Sequence, residues 1–298
     1  MNSYVILSVS MLAALGASII KKFSTGRFNS KKEMRFLFNA VISLSCMLSL
    51  LVISGPPKIS GFTVLLGVMF GAVTATQFVF TLLSYEIGPF SYTSVIVSLS
   101  TIIPALSGYF IWGEKIFTVQ IFGIALMLLC FALSVDFKKT DKKASKKWFL
   151  YVFVTFAATG IIGVMQKWHQ STEYKDELDG FLIVAFLTAF LISAIGFFIT
   201  SRQTLTNTEE RRDILKFLTP LTVALMILCG VCAAANNKMN LYLSGVMDSA
   251  IFFPVVNGGG MILSTIASLI IFKEKLGIQR YLGIAIGVVA VVLICNPF

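Results

Sequence analysis

The sequence predicts an all-α polytopic membrane protein of ten transmembrane helices. Three observations predict it. Hydrophobic residues make up 57% of the 298 and charged residues only 13%, where a soluble domain carries charge on roughly a quarter. The mean hydropathy is +0.88. The apolar residues also fall into runs near the length of about 20 residues that crosses a hydrocarbon core. Backbone polar groups in lipid must be satisfied within the chain, and no ten-residue alternation of a membrane barrel occurs, so the runs read as helices.

Bounded by charges or by Gly and Pro, the spans lie near 3–21, 34–54, 60–86, 89–112, 116–137, 148–168, 180–200, 217–243, 247–272 and 276–295. The first has no basic residue ahead of it and meets Lys21 and Lys22 behind it. A cleaved signal carries its positive charge first, so this run reads as a membrane helix. The second stops at Gly55, Pro56 and Pro57, and the fourth at Gly113, Glu114 and Lys115. The fifth ends at the basic run KKTDKKASKK, 138–147, which reads as a solvated linker between two halves, 1–137 and 148–298.

The net charge of +10 is a topology signal and implies no nucleic-acid partner. With the N-terminus outside, inner loops hold nineteen of the 24 basic residues and the outer side holds Lys58, Lys115, Lys167, Lys175 and Lys238. By the positive-inside rule both termini lie outside. The expected location is a bacterial plasma membrane, crossed many times.

An offset of 160 places WGEK (112–115) on FKEK (272–275) and GIA (123–125) on GIA (283–285). A charged corner followed at one spacing by a glycine stripe marks an internal repeat. Five spans per half is an odd number, so the second copy crosses in the opposite sense, the inverted topology common among secondary transporters. The Glu-Lys corner after the fourth helix of each half, followed by Q-x-x-G (120–123) or R-x-x-G (280–283), resembles the drug/metabolite transporter superfamily, and within it the EamA-like family. The resemblance covers nearly the whole chain. It implies a ten-helix basket whose cavity is lined mainly by helices 1, 3 and 4 of one half and 6, 8 and 9 of the chain. Relatives are usually described with cytoplasmic termini, against the charge count here. Residues 3–21 lack the acid of proton-coupled small multidrug exporters. The ninth span reads PVVNGGG (254–260), not the Lys-Arg or Lys-Thr pair of phosphosugar exchangers, which disfavours a phosphate-bearing solute.

The spans carry mostly neutral polar groups, since a charge at the bilayer centre costs about 2.5–3.5 kcal/mol even on the mildest scale. Thr74, Gln77, Thr81 and Ser84 share one face of the third span, and Ser91, Ser94, Ser98 and Thr101 one face of the fourth. Such faces serve helix packing as well as solute contact. Amides carry more donors and acceptors, so the candidate solute-contacting residues are Gln77, Asn236, Asn237, Asn240 and Asn257. Lys238 is either a cavity cation or a side chain reaching the interface. Pro104 and Pro254 predict kinks that are hinges or fixed bends. Glu114 and Glu274 are placed as structural or gating corners. The single histidine, His169, reads as interfacial and excludes a His-based metal site. The five cysteines read as small buried residues.

No phosphate loop, zinc helix or nucleophile elbow occurs, so no cofactor or metal is expected. The expectation is a monomeric, non-enzymatic, gradient-driven transporter in the lipid bilayer, moving a small-molecule metabolite by alternating access. The alternative is an integral-membrane enzyme acting on a lipid-linked substrate. A receptor or scaffold is disfavoured by the short loops.

Overall fold

A computed structural model describes residues 2–28, 32–87, 90–133, 145–206, 218–271 and 277–295. Among them every long element is helical: α1 (Ser3–Phe28), α2 (Lys32–Ser54), α3 (Gly61–Ile87), α4 (Phe90–Leu99), α5 (Ile102–Trp112), α6 (Thr118–Leu133), α7 (Lys146–Gln170), α8 (Leu178–Thr206), α9 (Pro220–Val246), α10 (Ser249–Ile271) and α11 (Ile278–Cys295), with a 3-10 turn at Lys175–Glu177. Among the described residues nine stretches are long and apolar enough to cross a membrane, counting Val95–Trp112 through α4 and α5 as one; α6 is apolar but shorter. Side chains such as Val52, 85% exposed, and Phe110, 75% exposed, lie on the outer surface. Water disfavours such exposure and lipid does not. The chain is a multi-pass membrane protein.

Local signals set the helix limits. Asn2 Oδ1 accepts from Tyr4 N at 3.1 Å and opens α1. The Ser145 hydroxyl accepts from Trp148 N at 3.1 Å and opens α7. Gly113 ends α5 with φ +66°, a left-handed conformation that glycine adopts at no steric cost.

The chain divides into two compact units, each drawing on both expected halves. The first comprises 1–11, 76–173 and 241–298. Within it α6 packs on α11, α5 on α10 and α5 on α7. Gln120 bonds the Ile294 carbonyl, a Cβ on Gly123 would meet Ile294 and the Ala290 carbonyl, and one on Gly287 would meet Cys130. Partners descend in α11 as they ascend in α6, so the two helices run antiparallel. The same test applies to α5 and α10, where Gly108 lies against Ser249 and Thr101 bonds Asn257. They too are antiparallel.

The second unit comprises 12–75 and 174–240. Here α2 packs on α8, with Phe36 against Gly196 and Asn39 donating to Ser193 at 2.8 Å. This pair is also antiparallel. Gly67 and Gly71 bring α3 onto α8, where a Cβ at Gly71 would fall 2.4 Å from the Ala185 carbonyl. Close backbone approach of this kind holds membrane helices together. Cys46 and Cys229 are buried and bond the Gly230 and Ala17 carbonyls, with no disulfide among the cysteines.

Candidate functional site

The fourth expected span is interrupted. Pro104 has no N–H to give the Ser100 carbonyl, which accepts instead from Ile103 N at 3.0 Å. Ser100 N and Thr101 N bond the carbonyls three residues back, at 3.1 and 3.3 Å. The Ser100 hydroxyl takes the Val97 carbonyl as well, at 2.6 Å. Turns of this tighter kind separate α4 from α5 at Ser100 and Thr101. Pro104 thus acts four residues upstream of itself, as a break.

At that break the Asn257 carboxamide donates to the Thr101 hydroxyl. Thr101 is buried at 3% exposure, whereas Asn257 is exposed. Thr101 stands eleven residues before the end of α5 and Asn257 eight after the start of α10. At about 1.5 Å per residue both lie about 12–17 Å from those helix ends, near the middle of a core about 30 Å thick. The next residues, Gly258 and Gly259, lie against the sulfurs of Met127 and Met11. An exposed amide held at mid-depth beside a helix break can present a carbonyl acceptor and a remaining N–H to a solute. Gln77, also in this unit, is half-buried on α3. Pro254 sits within an unbroken α10.

The amides of α9 belong to the other unit and partly satisfy one another. Asn240 donates to Asn236 Oδ1 at 3.3 Å and Asn237 to the Ala233 carbonyl at 2.8 Å. Lys238 is not a lone cation. Its Nζ sits 2.8 and 3.0 Å from the two oxygens of Asp179, in the first turn of α8, and 3.2 Å from the Ser54 hydroxyl at the end of α2. At 36% and 25% side-chain exposure, this pair is partly screened by solvent. It pins three helix segments of the second unit together.

Glu114 is bound on both sides. Oε1 lies 2.5 Å from Lys167 Nζ, and Oε2 accepts from Ser249 N at 2.7 Å. Lys167 in turn donates to the Met247 carbonyl at 3.1 Å. The acid and base are 11% and 8% exposed. The count of loop charges put Lys167 on the outer side; here it is buried within α7. His169, expected at an interface, is fully buried, with the Gln170 amide nitrogen 3.1 Å from its Nδ1. Glu274 and its corner lie outside the described residues, as does most of the 138–147 linker.

Three hydroxyls expected on the polar face of the third span bond their own helix, while the side chains of Ser91 and Ser94 lie outside the described residues. Thr74, Thr81 and Ser84 donate to carbonyls four residues back, at 2.6–2.8 Å. Helix packing accounts for them without a ligand. Gln120 of the Q-x-x-G motif also serves the backbone. Its Oε1 accepts from Phe117 N at 3.0 Å, capping α6, while Nε2 reaches the end of α11.

No family model and no curated protein matches the chain. Among solved structures, one described only as a protein crystal structure matches 98% of this chain and 95% of its own, with a TM-score of 0.73 at 13% identity. At that identity the likeness is one of fold. Among the described residues no cluster of three or more His, Cys, Asp or Glu could hold a metal ion.

Proposed function

We propose that the protein is a secondary transporter that moves a small polar metabolite across a cell membrane by alternating access, with no covalent chemistry. The observation that carries this reading is the Thr101–Asn257 pair at the break between α4 and α5. Interrupted helices near mid-depth are where secondary transporters build solute sites, because polar backbone is tolerated there only beside protein or a wet space. Asn257 and Thr101 are the first residues assigned to the solute, with Gln77. Asn236, Asn237 and Asn240 are the second set. Lys238, neutralised by Asp179, is assigned to structure.

The reading takes ten spans as two inverted five-helix halves related to the EamA-like family. Three antiparallel pairs support it: α2 with α8, α5 with α10 and α6 with α11. Each joins helices of the same rank in the two halves, and inverted copies that meet around a two-fold axis must do so antiparallel. The starts of α6 and α11 differ by 160 residues, the offset of the sequence repeat. Both termini are assigned to the outside of a bacterial plasma membrane by the distribution of Lys and Arg. The working unit is taken as a monomer.

Purified protein in liposomes, loaded with mixed amino acids, sugars, nucleosides and amines, tests the proposal. The expected result is saturable exchange of at least one class, with the same solute raising the melting temperature in detergent by mass action. Absence of both flux and shift across these pools would overturn it.

A further inference from the structure

We infer that the Glu114–Lys167 ion pair is a latch that holds the N-terminal end of α10 closed, and that its release moves that end about Pro254. The inference rests on the transporter reading for its use and on geometry for its existence. The pair straddles the junction from α9 to α10. Lys167 takes the Met247 carbonyl, just past the end of α9, and Glu114 takes Ser249 N, the first amide of α10. A cation at a helix C-terminus and an anion at an N-terminus each complement the local dipole. Here the two charges are also bonded to each other at 2.5 Å. Three segments therefore meet in one contact: the corner after α5, the end of α7 and the junction.

The junction is packed as well as bonded, with Ser249 and Ala250 1% and 0% exposed, and the ion pair supplies its charged contacts. Ser249 Oγ is buried and has no hydrogen-bond partner among the described residues. Glu114 and Ser249 crowd the same side of Gly108, where an added Cβ would come within 2.6 Å of the Ser249 Cβ. The contact is thus tight, and nothing apolar larger than glycine fits beneath it.

Five residues beyond Ser249 comes Pro254, which leaves the Ala250 carbonyl without its usual helical donor. The first turn of α10 can therefore tilt there at a smaller cost in internal hydrogen bonds than elsewhere in the helix. Asn257 lies three residues past that point and is bonded to Thr101. A latch, a hinge and the candidate solute amide follow one another along nine residues of one helix. Opening the latch changes the register of the turn next to Asn257.

The test reads the reactivity of a cysteine at Ser249, 1% exposed in this closed arrangement, toward a water-soluble maleimide, with the native cysteines as background. Three partners are compared with S249C alone: E114Q, K167M and the double variant E114Q/K167M. A latch predicts labelling faster by on the order of tenfold in all three, because each leaves the junction free to open. It further predicts that the double variant melts above either single variant, since no buried charge is left unpaired, while still labelling fast. A pair with only a structural role would recover both properties together. Slow labelling of the double variant, at the rate of S249C alone, would therefore overturn the latch, and the double variant keeps the test open if a single one does not fold. No solute enters this measurement, so it fails or succeeds independently of the flux experiment.

Discussion

Asn257 donates to Thr101 across the break between α4 and α5, joining an exposed amide to a hydroxyl that is otherwise buried. The bond fixes the amide's rotamer and leaves its carbonyl oxygen aimed away from Thr101. Replacing Asn257 by Ala removes the amide proposed to meet the solute and leaves a buried hydroxyl short of one partner, at a cost of about 1–3 kcal/mol. Replacing Thr101 by Val keeps the volume and removes the orienting acceptor. Both variants are expected to fold, to lose most exchange activity in liposomes, and to lose the solute-induced rise in melting temperature. Full flux in N257A would remove this residue from the site.

Lys238 and Asp179 make a partly exposed pair, and pairs of that kind contribute about 1 kcal/mol or less. K238M is expected to lower the melting temperature slightly and D179N/K238M to restore part of the loss. Solute affinity is expected to stay within a factor of two or so of the parent, within about 0.5 kcal/mol. A large change in affinity, measured by the thermal shift, would return Lys238 to the solute.

The motif that carries the family resemblance has a structural job that can be measured. Gln120 caps α6 and reaches the end of α11, and Gly123 leaves no room for a larger residue against Ile294. Q120A is expected to cost about 1–2 kcal/mol, a cap plus part of a weak hydrogen bond. G123V is expected to cost about 1–3 kcal/mol or more by overpacking. Thermal unfolding in detergent reads both, and a G123V protein as stable as the parent would contradict the contact.

The glycine at the corner makes a separate prediction. With φ at +66°, Gly113 is the residue that lets Glu114 turn back onto Gly108, whose carbonyl accepts from Glu114 N at 3.0 Å. G113A places a Cβ in the left-handed region and is expected to cost about 1–2 kcal/mol. The same substitution is expected to speed labelling at S249C, because it displaces Glu114.

Orientation is open to direct measurement. A cysteine at Ser145, which is exposed at the start of α7, is expected to react with a membrane-impermeant maleimide only after cells are broken. Reaction in intact cells would reverse the assignment of both termini.

The helices were legible as apolar runs bounded by charge, and nine stretches among the described residues are long enough to cross a membrane, with α6 shorter than the span expected there. The helix break was half legible: Pro104 announced a kink, but the interruption falls at Ser100 and Thr101, since the missing N–H is felt at the carbonyl four residues earlier. The latch was not legible. Glu114 stood out as a corner acid, yet its partner lies 53 residues away and looked like a loop charge, because only packing decides which distant base a buried acid meets. His169 failed for a related reason, its burial being set by the neighbours of α7 and not by its place near a helix end. Asn257 was visible as an amide in an apolar run. Its bond to Thr101 needed the fold.

The tie between Gln120 and the Ile294 carbonyl spans 174 residues, and it bears on how the molecule is made. While ribosomes are still producing the second half, α6 resides in the bilayer with its glycine face uncovered and a cap that has only one of its two attachments. Assembly of that face must wait for α11, which begins 160 residues after α6. Until then lipid or an insertion factor has to shield it, so Gln120 and Gly123 bear on the order of assembly as well as on the finished fold.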